Sequence, residues 1–432
     1  MADSQARYQH SEALLARALK TIPLGAQTFS KSKLQYPLGV SPYFIERGKG
    51  AHVWDVDGNQ YTDFINALCA VTLGYNDPDV TTAVQEQLLD GVIFSLSHRI
   101  EMEVAEAIVE MVPCAEMVRF GKNGSDATSG AIRIARAFTG RDHIAVCGYH
   151  GWQDWYIGST ARNLGVPQAT RDLTHGFLYN DAASLYSLLK SKPDGFAAII
   201  LEPMNIAHPT PTFLHDVQAM ARAHGAVLIF DETITGFRFA NGGAQELFGV
   251  TPDLATFGKG LANGYPVSAV AGRADIMKLM EEVFFSFTFG GEALSLAAAK
   301  ATLKKLVTEP VTQTMRAQGK KIIDGVIQLI AKHDVGDFLS ISGDPTWSFL
   351  SIKDAGHYSL WQIKTLFMQE MFANGVLAYG THNMSYAHGD KEVSQLLSTY
   401  DEVFATLKNA VENQSLDTKL LCDPIEPVFK VR

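Results

Sequence analysis

The 432-residue sequence is poor in cysteine, with only Cys69, Cys114, Cys147 and Cys422, and no two of them form a CxxC pair. That scatter argues against both a zinc site and a disulfide framework, and it is the pattern of reduced thiols in a cytoplasm. No metal is expected. The chain also lacks any block of Lys or Arg, and its formal net charge is −10. Nucleic acid and anionic membrane surfaces are therefore poor candidates as partners. Nor does any apolar run approach the roughly 20 residues of a membrane span. The N-terminal MADSQARYQHSEALLARALK is an amphipathic polar start, without the charged segment, apolar core and cleavage site of a leader. A soluble, unexported protein is expected. Internal repeats and low-complexity tracts are missing as well. What remains is an ordinary enzyme-like composition, 47% hydrophobic, in a chain long enough for a large core and two domains.

The most informative stretch runs from Ala226 to Pro266. It opens with a short, β-branched apolar run, Ala226 to Phe230, of the kind that forms a buried strand, and two carboxylates, Asp231 and Glu232, follow at once. In open α/β sheets ligands bind beyond the carboxyl ends of strands, which places Asp231 where a cofactor would be met. After a second apolar stretch comes Gly258-Lys259-Gly260. Flanking glycines let backbone and ligand approach closely. A lone lysine is ordinarily a solvated surface group. A phosphate loop of the GxxxxGK[ST] type fails here, because Gly260 follows Lys259 and Asp253 stands five positions before Gly258. A nicotinamide site fails too, since Gly258-x-Gly260-x-x-x-Gly264 lacks the GxGxxG spacing and its strand and helix context.

Taken in order, the chain begins with a helix around Ser11 to Lys20 and a Gly/Pro/Ser-punctuated loop from Pro23 to Pro42. An alternating pattern around Asp57-Gly58 then predicts a hairpin. Helical spacing recurs over Val80 to Leu89 and Glu101 to Met111. Met117 to Phe120 reads as a strand, Gly121 to Asp126 as a glycine-rich turn, and Ala127 to Phe138 as a helix. Strand, turn and helix make an anion-binding arrangement, with free N–H groups, a helix dipole and the Ser125 hydroxyl. The plainer alternative is a βα turn capped by Ser125 or Asp126. The strand Ile144 to Cys147 delivers Tyr149 and His150 to the same edge, with Trp152, Trp155 and Tyr156 beyond, and Ala197 to Leu201 delivers Glu202. A flat aromatic there can stack on a flat ligand, or simply pack in the core. Helices near Ala182 to Lys190 and Leu214 to His224 complete a βα alternation, hence a mostly parallel sheet covered by helices. Further helices are expected at Ala293 to Leu306, Ile322 to Ala331 and Leu360 to Phe372, with a strand at Trp347 to Ile352.

The strand-Asp231-Glu232 unit followed by Phe257-Gly258-Lys259-Gly260 resembles the fold-type I, class III pyridoxal-phosphate (PLP) aminotransferases. Thr235-Gly236-Phe237-Arg238 with Gly242-Gly243-Ala244-Gln245 is most similar to their glutamate-1-semialdehyde 2,1-aminomutase branch. The resemblance covers essentially the whole chain, most strongly Gly121 to Gly291. It implies an α/β fold-type I transferase with a large domain built on a mostly parallel sheet of the seven-stranded type, over residues 76–310. A smaller α+β domain would combine an N-terminal segment, 1–75, with a C-terminal one, 311–432. It implies PLP as cofactor, bound through a Schiff base on Lys259, with Asp231 holding the pyridine nitrogen protonated. The phosphate would sit at Gly124, Ser125 and Asp126, and Tyr149 would stack on the ring beside His150. Glu202 and Thr233 would lie near the ring, Thr233 standing where the family usually has Val. Phe287-Thr288-Phe289-Gly290-Gly291 resembles the loop whose Thr binds the phosphate of the neighbouring subunit's cofactor, and so implies a homodimer. Glu292-Ala293 replaces the usual Asn-Pro after it.

Transamination and aminomutation share this apparatus. In the aminomutase branch an N-terminal-loop Arg holds the substrate carboxylate, and Lys31 aligns with it; the branch's Phe-Glu pair aligns with Tyr379-Gly380, which carries no carboxylate. Both departures point away from glutamate-1-semialdehyde itself; the expected function is an aminotransferase moving an amino group between an amino donor and an aldehyde or keto acceptor, with a glutamate-1-semialdehyde-like 2,1-aminomutase as the alternative. Lys31, Trp152 and Arg238 are the candidate substrate residues. The wording around Gln27 to Ser30 is similar to an aminomutase-like group associated with surface-polysaccharide precursors.

Overall fold

The computed structural model describes residues 7–426. By internal contacts the described chain forms two units, one of residues 7–68, 73–77 and 313–426, the other of residues 69–72 and 78–312.

The second unit carries the large sheet. Its elements are α1 (Pro78–Asp90), α2 (Arg99–Met111), β1 (Met117–Gly121), α3 (Gly124–Thr139), β2 (His143–Cys147), β3 (Thr174–Gly176), α4 (Ala182–Ser191), β4 (Phe196–Leu201), α5 (Phe213–His224), β5 (Val227–Asp231), β6 (Leu254–Phe257), β7 (Ser268–Gly272) and α6 (Ala293–Thr308). The seven strands lie in the order β1-β7-β6-β5-β4-β2-β3. Five of them, β6 to β3 along the sheet, pair in parallel. The mostly parallel sheet expected from the βα alternation is thus present, with the seven strands that the family resemblance implied. β7 was not foreseen: it inserts antiparallel to both β1 and β6. Its sequence, SAVAG, has neither alternation nor β-branched bulk, and a Cβ on Gly272 would lie 2.4 Å from the carbonyl of Asp253, so only glycine admits this close pairing.

Both faces of the sheet are covered, as parallel strands require. On one, Ile144, Val146, Ile200 and Ile229 pack against Ala131, Ile134 and Ala135 of α3. On the other, Ala145, Ile199, Leu228 and Phe230 meet Leu185 and Leu189 of α4 and Leu214 and Val217 of α5. The strands are apolar on both sides because neither side is wet. Register aligns their carboxyl ends: Cys147 pairs with Leu201, Leu201 with Phe230, and Asp231 with Thr256.

In the first unit, strands Ile45–Lys49, His52–Asp55 and Gln60–Asp63 form the expected antiparallel arrangement, extended by Val376–Leu377 in parallel with the third. A separate three-stranded sheet joins Leu339–Asp344, Trp347–Ile352 and Thr381–Asn383. Helices Val311–His333, Leu360–Ala373 and Asp390–Glu412 accompany them. Two imidazoles are locked in this unit. His388 accepts the Ser385 N–H at Nδ1 (2.9 Å) and donates from Nε2 to the Asp63 carbonyl (3.1 Å), while His382 bridges Ser348 and Tyr400 hydroxyls. Burial lowers their pKa values to about 4 and about 3. Among the described residues no helix is long and apolar enough to cross a membrane.

Candidate active site

Asp231 ends β5 in a buried setting. One carboxylate oxygen accepts the Thr233 N–H (3.1 Å) and the Thr256 hydroxyl (3.2 Å); the other lies 2.8 Å from His150 Nδ1. His150 Nε2 lies 3.2 Å from the Cys147 carbonyl, which can only accept, so that nitrogen carries a hydrogen. Burial opposes ionisation of Asp231, but the hydrogen bond and charge of His150 outweigh it and hold the carboxyl below its usual range. The oxygen facing His150 keeps lone-pair capacity for one further donor, whereas the other already accepts two. His150 is fully enclosed, with Trp155 stacked at 6.4 Å and Tyr156 edge-on at 5.2 Å.

Glu232, the next residue, points elsewhere. It accepts the N–H groups of Ala244 (2.8 Å) and Gln245 (2.9 Å) and the Thr235 hydroxyl, which ties the Gly242 to Gln245 run to the end of β5. Burial raises its pKa. A Cβ on Gly243 would lie 2.6 Å from its Oε2, so the glycine is needed for the clasp.

Helix α3 starts at Gly124, three residues before the periodicity suggested, because Asn123 and Asp126 form a capping box. Asp126 accepts the amides of Lys122 and Asn123, each at 3.0 Å, so its carboxylate is occupied in holding the turn. The Asn123 side chain takes the Asp126 N–H, leaving the Gly124 and Ser125 amides as first-turn donors without an acceptor inside the helix. Ser125 Oγ accepts the Trp152 N–H at 3.3 Å. Gly151, at φ +105°, permits this approach: a Cβ there would lie 2.3 Å from Ser125 Oγ.

Lys259 follows β6, the neighbour of β5, as the first residue of a short 3-10 turn, Lys259–Ala262. Its φ is +43°, the left-handed region, which costs a non-glycine residue about 1–2 kcal/mol. The glycines beside it differ. A Cβ on Gly260 would lie 2.3 Å from Thr72 Oγ1, whereas one on Gly258 would make only ordinary contacts, 3.4 Å from Thr233 Cγ2 and 3.7 Å from the Gly124 amide. Those contacts gather the start of α3, Thr233 and the Lys259 turn into one place. Thr233 Oγ1 is buried there without a hydrogen-bond partner among the described residues.

Tyr149 is partly buried, edge-on to Tyr156 at 5.7 Å, and its N–H donates to Glu202 Oε2 (3.0 Å), which also takes Asn205 Nδ2 (2.7 Å). Trp155 and Tyr156 are core residues, bonded to Ser129 Oγ and the Gly148 carbonyl, while Trp152 is 66% exposed. Arg238 is fully buried and donates to the Cys69 carbonyl at 3.2 Å. Lys31 is exposed on a 3-10 turn of the other unit, and Thr288 is exposed on the loop before α6. Among the described residues no group of three or more His, Cys, Asp or Glu is disposed to hold a metal. The strained φ of Lys259 and the backing of Asp231 by His150 carry no signal in spacing; only the shared sheet edge made the latter foreseeable.

The aminotransferase class-III family profile matches residues 36–385, so the chain belongs to that family. It is 33% identical over 410 residues to the 3-aminobutyryl-CoA aminotransferase of Cloacimonas acidaminovorans (strain Evry), covering 92% of this chain and 97% of that one. The structure of the PLP form of the FumI protein of Sphingopyxis sp. MTA144 superposes with a TM-score of 0.87 at 29% identity, over 95% of this chain and 100% of that one. A glutamate-1-semialdehyde aminomutase from Pseudomonas aeruginosa PAO1 shares the fold alone, with a TM-score of 0.81 at 22% identity over 94% and 97% of the two chains. The family's cofactor is PLP, and the residues present fit it. Two first-turn amides without an acceptor inside the helix and the Ser125 hydroxyl suit its phosphate, a buried carboxylate held below its usual pKa range suits its ring nitrogen, and the Thr233 hydroxyl has no hydrogen-bond partner among the described residues.

Proposed function

We propose that this PLP-dependent aminotransferase works through Lys259 and Asp231, passing an amino group from an amino donor to an aldehyde or keto acceptor. The observation that carries the reading is the pairing of Asp231 with His150 at the end of β5, one strand from the one that delivers Lys259. PLP, when bound, supplies an electron-poor pyridine ring that delocalises the electron pair left when a proton departs from the amine-bearing carbon. Asp231 keeps a proton on the ring nitrogen, because the charge it offers is itself fixed by His150. Lys259 would hold the cofactor through its Nζ and, as a free amine, would carry the proton from the amine-bearing carbon. Gly124 and Ser125 hold the phosphate, with Asp126 acting on it only by shaping the turn. Thr233 offers its methyl to the ring and its hydroxyl to a polar atom, Tyr149 lies against the ring, and Glu202 fixes the Tyr149 backbone.

We assign Trp152 to the substrate entrance, since it is the exposed member of the aromatic trio. The relative that acts on 3-aminobutyryl-CoA supports a donor whose amine need not sit beside the carboxyl carbon. A homodimer in which Thr288 reaches the partner's cofactor is supported by the exposure of Thr288 among exposed apolar neighbours, Phe284 and Phe289. A cytoplasmic location is in keeping with four free cysteines, three of them buried. The test is stoichiometric. Purified enzyme given an amino compound should turn over only when an oxo acceptor is added, with one acceptor consumed per donor. Complete conversion of a single amino compound without a co-substrate would replace the transferase by the aminomutase.

A further inference from the structure

Between the phosphate turn and the Thr288 loop lies an ion pair that the reaction does not itself require. Lys122 Nζ is 2.9 Å from Glu292 Oε2 and 3.2 Å from Ser295 Oγ, and the two charged side chains are 21% and 11% exposed. Lys122 belongs to the turn that opens α3, where its own N–H donates to Asp126. Glu292 is the N-cap of α6: its carboxylate accepts the Leu294 N–H at 2.6 Å, the Ser295 N–H at 3.2 Å and the Ser295 hydroxyl at 2.6 Å. Burial works against its charge, but Ser295 and Lys122 keep its pKa below the usual range. One carboxylate therefore closes a helix and grips the phosphate turn at once.

The loop running into Glu292 is pinned at its other end. Arg133 donates to the Phe284 carbonyl (3.0 Å) and Arg119 to that of Phe285 (3.4 Å), both from elements flanking the same turn. Gly291 lies against Glu101, whose Oε1 a Cβ there would meet at 2.7 Å. Thr288, exposed midway, thus sits on a span whose two feet stand on β1, α3 and the turn between them. The segment has no regular structure of its own to fix it, so its position depends on those feet.

We propose that Glu292 and Lys122 are positioning residues that couple the phosphate turn of one subunit to its Thr288 loop, so that one partly buried ion pair sets both the turn that grips that subunit's own cofactor phosphate and the loop that reaches the partner's. The inference rests on the reading of Ser125 and Thr288 as phosphate contacts. Neither charge touches the cofactor. The pair acts by aiming the Gly124 and Ser125 amides and by holding Thr288 at the height the neighbouring site needs.

The test compares PLP with pyridoxal, which lacks the phosphate, in equilibrium binding to the full-length apoenzyme of the wild type, Lys122→Gln, Glu292→Gln and the double variant. Positioning predicts that each single variant weakens PLP about tenfold, that is by about 1.4 kcal/mol, while pyridoxal binding changes less than twofold. The double variant should lose no more than either single one, because the pair fails as a unit. Lys122→Gln leaves the helix cap intact and so keeps the test open should Glu292→Gln fold poorly. If the two single variants move PLP affinity in opposite directions, the pair acts as a charge field and the proposal falls. It also falls if PLP and pyridoxal weaken equally, which a purely structural role would produce, or if neither changes. Failure of the underlying phosphate reading is separable, because wild-type apoenzyme would then bind pyridoxal as tightly as PLP.

Discussion

Replacing Asp231 by Asn exchanges one carboxylate oxygen for an amide and removes a full negative charge from a buried site, with almost no change of volume. The fold can absorb it. Asn can accept the Thr233 N–H and the Thr256 hydroxyl on its oxygen and donate from Nδ2 to His150, whose Nε2 hydrogen remains on the Cys147 carbonyl. The ring nitrogen of the cofactor loses its counter-charge instead. A unit charge pair at hydrogen-bonding distance in surroundings of effective dielectric about 20 is worth about 5 kcal/mol. At about 1.4 kcal/mol per decade, removal of the proton from the amine-bearing carbon should slow by roughly three to four powers of ten. The assay is single-turnover decay of the cofactor's visible absorbance with a deuterated and a protiated donor. Asp231→Asn should keep its thermal midpoint and its covalently held cofactor, and show a larger isotope effect. A variant within tenfold of the wild type would refute the argument that a fixed charge at Asp231 drives the chemistry.

Lys259→Ala should fold and retain PLP noncovalently through the turn at Gly124 and Ser125, yet lose nearly all turnover, measured by single-turnover kinetics. Because alanine is as strained as lysine at φ +43°, Lys259→Gly should be more stable than Lys259→Ala by about 1 kcal/mol in denaturant unfolding of the apoenzymes. Gly260→Ala puts a methyl 2.3 Å from Thr72 Oγ1 and should cost about 1–3 kcal/mol, with partial recovery in Gly260→Ala/Thr72→Ala by the same measurement. The buried imidazoles of His382 and His388 have folded pKa values of about 3 and about 4, below the unfolded value of about 6.5. The unfolded chain therefore binds more protons between those limits, and stability falls as pH drops from about 6.5 towards 4. The two together should remove about 4 kcal/mol by pH 5, seen as a declining unfolding midpoint that flattens in His382→Gln/His388→Gln.

The strand ends that carry Asp231, Glu202 and His150 were legible in the sequence because buried parallel strands read as unbroken apolar runs, and a polar residue that ends such a run marks the sheet edge. Helices with one apolar face were equally plain, to within a few residues at their ends, except Val311–His333, whose first eleven residues were not read as helix. Where capping decided the boundary, as at Gly124, periodicity placed the start too late, since a capping box works through Asn123 and Asp126 and leaves no apolar signature. β7 escaped notice because Ser268 to Gly272 is chosen for smallness between two close neighbours, not for β-branched bulk. In the site, chemistry that depends on residue type, such as the amine of Lys259, could be read directly. Direction could not. Asp231 and Glu232 are adjacent acids, yet one faces His150 and the other clasps Ala244 and Gln245, a division made by alternation and by the turn that follows. The link from Lys122 to Glu292 spans 170 residues and was out of reach for any local pattern.

The assignment of Lys259 is tested most directly by borohydride reduction of the wild-type holoenzyme followed by proteolysis and peptide mass spectrometry. A phosphopyridoxyl adduct is predicted on Lys259 and on no other lysine, together with its disappearance in Lys259→Ala. An adduct on a different lysine, or none at all in protein that holds the cofactor, would contradict the account.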